Sequence, residues 1–151
     1  MQRAAVADDL QRFRRPSGAY AEWDTGYTAT CAGVKEGESS VLSANGDPVV
    51  DFLYSSNWLP MGYATAWLVT GEEKFHRLWR EICAYCASTQ ILSGNPLHNG
   101  IWPRAIDDEQ KEVYGVPNDS GWAPWAVETM AEIVSGMLLG HLPRERFLQL
   151  V

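Results

Sequence analysis

Two helical stretches meet across Thr70, Gly71, Glu72 and Glu73, and that meeting limits the fold more than any other feature of the chain. Residues 72–90 set Phe75, Leu78, Trp79, Ile82, Cys83, Tyr85 and Cys86 in a wide apolar stripe at helical spacing. Before the connector, an apolar run extends from Val49 to Val69. Helices joined so closely must reverse direction, so the spacing predicts an antiparallel helical hairpin. Asp47 followed by Pro48 has the form of an N-cap with proline at the first helical position, which starts this run as a helix at Val49. Pro60 cannot sit unmarked inside it, so a kink is expected there, or a fresh helix capped by Asn57.

The remaining segments carry the same signature. Residues 2–15 read as a helix with Ala5, Val6, Leu10 and Phe13 on one face, stopped by Pro16, Ser17 and Gly18. A last helix is expected over about residues 121–140, capped by Asp119 and ended by Gly140 with Pro143 behind it. No long segment alternates with period two, so the class is all-α. Two glycine-rich stretches, 17–47 and 91–118, lack helical pattern, and loops of that length in a small domain usually carry function.

A length of 151 residues predicts a single helical domain, 1–151, with a core of its own. No run of apolar residues is long enough to span a bilayer. Met1 leads into Arg3, Asp8 and Asp9 with no apolar leader, which favours the cytoplasm. A net charge of −7 argues against a nucleic-acid partner, which needs a basic surface. The apolar ends of the last helices, down to Phe147, Leu148, Leu150 and Val151, predict a homo-oligomer joined through helix edges, or a longer protein around this piece. Cys31, Cys83 and Cys86 are odd in number, which fits reduced thiols. The Cys83–Cys86 pair has a metal-ligand spacing, with Cys31 and His76, His98 or His141 to complete four ligands, yet it falls on an apolar helical face. The core reading is preferred, so no metal and no cofactor is expected.

The chemistry concentrates between Asn99 and Glu128. Asp107, Asp119 and Glu128 are interleaved there with Trp102, Arg104, Tyr114, Trp122 and Trp125, and the first long loop repeats the mixture with Trp23 and Asp24. Sugars lay their C–H faces on aromatic rings while polar side chains take the hydroxyls, so this alternation points to an oligosaccharide partner. A carboxylate at a helix start is held ionised, whereas one packed against tryptophan is desolvated, and glycosidic cleavage needs two carboxyls in such contrasting states. Each residue also has a structural reading. Asp119 can serve only as an N-cap, Arg104 can pair with Asp107, Trp122 and Trp125 can be core, and His98 can be merely solvated. Glu128 stands nine residues after Asp119, about 13 Å along one helix, too far to be its direct partner.

Leu53, Tyr54, Asn57 and Trp58, then Ala66 to Phe75 with its Thr70-Gly71 turn, then Trp102, Pro103, Arg104 and Asp107, and Tyr114 with Asp119 to Trp122, together resemble the six-hairpin glycosidases. This is the (α/α) toroid superfamily of unsaturated glucuronyl hydrolases and related uronic-acid hydrolases. The resemblance covers residues 48–140 and implies antiparallel helical hairpins around a ring. A full ring needs about twice this length, so about three hairpins of an incomplete toroid are expected. It implies a glycoside hydrolase with Asp119 or Asp107 as proton donor and Asp24 positioning water. Arg104 would grip a uronate carboxylate, and Trp102, Trp122 and Trp125 would stack on sugar rings. Two alternatives stand beside it. A polysaccharide lyase on the same fold would use Tyr114 or His98 as base with Asn99 and Arg104 neutralising the acid. A non-catalytic helical interaction module would use the apolar edges alone. On either enzymatic reading, Trp58, Trp67 and Trp79 are core, while Trp23, Trp102, Trp122 and Trp125 gather with the acids.

Overall fold

A computed structural model of the chain describes residues 11, 13–20, 49–52, 56–96, 98–103, 105–107, 113–114 and 123–150, with the backbone alone at 49, 107, 113–114 and 123–125. The described residues are mostly helical. Helices α1 (Leu59–Thr70) and α2 (Glu73–Thr89) flank the connector and pack on each other. The chain reverses at Gly71, where φ is 73° and the N–H donates to the Trp67 carbonyl at 2.7 Å. Only glycine takes that left-handed turn without strain. Thr70 closes the last turn through Oγ1 to the Ala66 carbonyl at 2.7 Å, and accepts the Glu72 N–H at 3.1 Å.

At Pro60 the fresh helix is what forms. A 3-10 turn, Ser56–Trp58, precedes α1, and Pro60 falls in the first helical turn, where its missing N–H breaks no bond. Asn57 does not cap it. Its side-chain amide donates instead to the Glu132 carboxylate, and the start of α1 has no side-chain cap.

The run that begins at Val49 is not helical. Val49–Asp51 form strand β1, antiparallel to β2 (Ala105–Asp107), which pairs with β3 (Val113–Tyr114). Paired β-branched residues favour extended backbone when a partner strand supplies hydrogen bonds, and that partner lies more than fifty positions away. The expected N-terminal helix also stops early. Gln11 is helical, but the Arg14 N–H already turns back to the Gln11 carbonyl, and Arg14 bridges Tyr20. This turn is fastened to α2 by Arg14 and Glu81 at 2.6 Å.

Helix α3 (Ala123–Leu139) meets the expected last helix, and a short α4 (Arg144–Leu148) follows it. Helix α3 runs parallel to α1. Glu132 meets Asn57, Gly136 lies against Pro60 and Met61, and Arg144 beyond the helix end reaches the Leu68 and Val69 carbonyls at 3.0 and 3.1 Å. Two glycines permit the closeness. A Cβ on Gly136 would stand 2.4 Å from the Met61 nitrogen, and one on Gly140 would stand 2.0 Å from Trp79 Cε2. Trp79 lies in that gap, with Nε1 donating to the Gly136 carbonyl at 3.0 Å.

One apolar core joins these parts. It gathers Val50 and Phe52, Tyr63 and Ala64, Phe75, Leu78, Trp79, Ile82 and Cys86, Trp102, Ile106 and Ile133. Phe52 stacks on Tyr85 with centroids 6.0 Å apart, and Tyr63 donates its hydroxyl to Tyr20 at 2.9 Å. Among the described residues no helix is long and apolar enough to cross a membrane.

Candidate functional site

The sheet sorts its residues by face. Asp51 pairs with Ala105, and Ala105 with Tyr114, while Val50 pairs with Ile106, and Ile106 with Val113. Successive residues of a strand fall on alternate faces, so the register assigns Val50, Ile106 and Val113 to one face and Val49, Asp51, Ala105, Asp107 and Tyr114 to the other. Val50 and Ile106 belong to the core. The opposite face therefore collects the chemistry-bearing positions, with Asp107 diagonal to both Asp51 and Tyr114. Such diagonal neighbours on adjacent strands stand about 7–8 Å apart.

The sheet lies beside the start of α1. There the 3-10 turn touches β1 and packs on α3. Asp51 and Ser56 are fully buried and Asn57 is nearly so, with Asn57 donating to Glu132 across the turn–helix contact. The start of α1 has no side-chain cap and no acidic residue in its first turn, so its free N–H groups and positive dipole end lie there.

Of the expected site residues, the structure brings Asp107 and Tyr114 together on one sheet face. Glu128 is exposed on α3, one turn before Glu132, and Trp125 lies in the first turn of the same helix. His98 belongs to a separate turn, where its N–H donates to the Asn95 carbonyl at 3.0 Å and Asn99 Oδ1 accepts the Ser93 N–H at 3.1 Å. Trp23, Asp24, Arg104, Asp119 and Trp122 lie outside the described residues, as does Cys31.

Two tryptophans exchange places relative to expectation. Trp102, expected to stack on a sugar, is 3% exposed, and its Nε1 donates to the Cys86 carbonyl at 2.7 Å. Its faces are taken by the core, so no ring from solvent reaches them. Trp58, expected in the core, is 55% exposed. Asp51, Asn57 and Glu132 carry no catalytic signal in the sequence, because Asp51 sits in a stretch read as helix and the other two meet only in three dimensions.

Cys83 and Cys86 follow the core reading. Burial pushes both thiols up to about 12, and among the described residues no cluster of three His, Cys, Asp or Glu could hold a metal ion.

No protein-family model, curated protein or solved structure matches this chain. The resemblance to six-hairpin glycosidases thus rests on the residues quoted for it.

Proposed function

We propose that the chain is a carbohydrate-active protein, a glycoside hydrolase that acts on uronic-acid-containing oligosaccharides. The observation that carries this reading is the shared sheet face of Asp51, Asp107 and Tyr114. Hydrolysis of a glycosidic bond needs two carboxyls, separated by about 5–10 Å according to the stereochemical course. The register sets Asp51 and Asp107 diagonally on adjacent strands, about 7–8 Å apart at the backbone, which gathers acidic residues on one face. Asp51 is closed from solvent, which makes it a positioning residue in this reading, and Asp107 or Asp119 is the proton donor. Asp24 would orient the attacking water, and Arg104 would hold the uronate through its planar fork. An incomplete (α/α) toroid is the architecture this function implies, and the parallel pair α1 and α3 with α2 antiparallel beside them supports it.

The test is release of reducing ends from an unsaturated uronate disaccharide. Asp107→Asn is expected to lower kcat by about a hundredfold or more, with KM little changed. Asp119→Asn is expected to act likewise. If both variants cleave at the wild-type rate, the assignment is wrong. Tyr114 on the same face as Asp107 favours a lyase as the second reading. New ultraviolet absorbance from an unsaturated product, formed on a saturated polyuronate, would establish that reading instead.

Self-association accompanies the proposal. Val127, Val134 and Leu138 are exposed along one side of α3, at 61%, 38% and 67%. Their spacing of seven and four is that of a helix-pairing seam. The mass in solution is expected to exceed that of one chain and to fall to it in Leu138→Glu; a monomeric wild type overturns this expectation.

A further inference from the structure

Among the described residues, Asn99 is the one asparagine that precedes a glycine. Glycine sets no side chain beside its own nitrogen, so that nitrogen can reach the carbonyl carbon of the preceding side-chain amide. The reaction is a ring closure. The Gly100 nitrogen gives up its proton and bonds to Asn99 Cγ, the Cγ–Nδ2 bond breaks, and Nδ2 leaves as ammonia. Water then opens the cyclic imide. Attack at Cγ leaves aspartate. Attack at the main-chain carbonyl leaves isoaspartate, whose backbone runs through Cβ and is one carbon longer.

The fold engages both reacting groups elsewhere. The Gly100 N–H donates to the Ile91 carbonyl at 2.8 Å, and Asn99 Oδ1 accepts the Ser93 N–H at 3.1 Å. The Asn99 N–H is tied to the Asn95 carbonyl at 3.0 Å, and Gln90 Nε2 donates to the Gly100 carbonyl at 2.6 Å. The Ile91 N–H completes this clasp at the Ile101 carbonyl, at 2.8 Å. Little apolar burial resists its opening, because Asn99 is exposed and Leu92 is 86% exposed. Its far end is anchored, since Trp102 is buried and bonded to the Cys86 carbonyl. An added backbone carbon at residue 99 therefore puts Gly100 out of step with Ile91 while Trp102 holds its place. We propose that Asn99 is a modification site guarded by the fold: opening of the 90–101 clasp lets it close on Gly100, and the isoaspartate formed keeps the clasp from closing again. This inference is independent of the hydrolase reading.

The test ages the full chain at neutral pH, folded and in urea, and follows Asn99 by peptide mass mapping, which separates it from the same dipeptide at Asn45-Gly46. Loss of ammonia and gain of water at Asn99 are expected to run at least about tenfold slower in the folded chain. Gln90→Ala removes one bond of the clasp and neither reacting group. It should speed the folded chain about threefold or more and leave the rate in urea unchanged. The isoaspartyl form, separated by chromatography, should melt below the wild type. Asn99→Asp, which keeps an ordinary backbone and an acceptor for the Ser93 N–H, should melt close to it. Equal rates folded and in urea, or a folded rate unmoved by Gln90→Ala, overturn the guarding role of the clasp. An isoaspartyl form that melts with the wild type overturns the claim that the clasp cannot close again.

Discussion

Single residues in this chain are decided by what surrounds them in space, and the tryptophans display it. Trp102 stands two residues after Gly100 and is followed by Pro103 in a segment full of turn signals, yet its indole reaches the Cys86 carbonyl and fills the core. Trp102→Ala is expected to cost about 3–5 kcal/mol in urea unfolding, as a large buried side chain removed from a packed site does. Trp102→Phe keeps most of the volume but leaves the Cys86 carbonyl without its donor, at about 1–2 kcal/mol. The cysteines carry a pH consequence. Both folded thiols hold their protons up to about 12, against 9.0 for an exposed thiol, chiefly through desolvation. The unfolded chain loses these protons first, so their contribution is complete below pH 9.0 and is lost as pH climbs towards about 12. Denaturation midpoints should fall over that interval, and Cys86→Ala should flatten the fall. Sequence placed the thiols correctly because helical periodicity counts them with Ile82 and Trp79. It misplaced Trp58 and Trp102 because an indole's burial depends on partners that lie far along the chain.

Elements were legible in proportion to their local contacts. The stretch from Glu73 to Thr89 repeats its apolar positions over several turns, and Gly71 marks its start, so α2 is plain from the spacing alone. The strands span three, three and two residues, too short for alternation to register, and β1 finds its partner only after α1 and α2 have been made. Gly136 and Gly140 are a pair whose reason lies in the neighbouring elements. Gly136 lies inside α3, where glycine is costly by about 1 kcal/mol relative to alanine, so propensity alone would favour replacing it. Here the replacement clashes with the Met61 backbone or the Trp79 ring. Gly140→Ala is therefore expected to destabilise by about 2–3 kcal/mol in thermal or urea unfolding, the magnitude of an overpacked core. A variant as stable as wild type would show that Trp79 can move away freely. Arg144 completes the same end of the bundle by supplying donors to the open carbonyls of α1.

At the scale of the whole molecule, the candidate site draws on two distant parts of the chain. Asp107 and Tyr114 stand seven residues apart, a spacing without meaning until β2 and β3 fold into adjacent strands. The sequence marked both as reactive types in a loaded loop, and that much was readable from composition. Asp51 was not, since its place beside Ala105 depends on a pairing across the whole of α1 and α2. The parallel course of α1 and α3 was equally hidden, because it is set by Asn57, Gly136 and Arg144 together. Trp79 gives this arrangement a direction in time. Its ring rests on the Gly136 carbonyl and beside Gly140, near the end of α3, while α1 and α2 lie wholly before it. As the chain leaves the ribosome, α1 and α2 can meet at once, but the indole keeps a bare flank until residue 140 has emerged. The nascent pair must wait for about sixty residues of synthesis at roughly 5–20 residues per second, an interval of seconds in which that flank is open to chaperones.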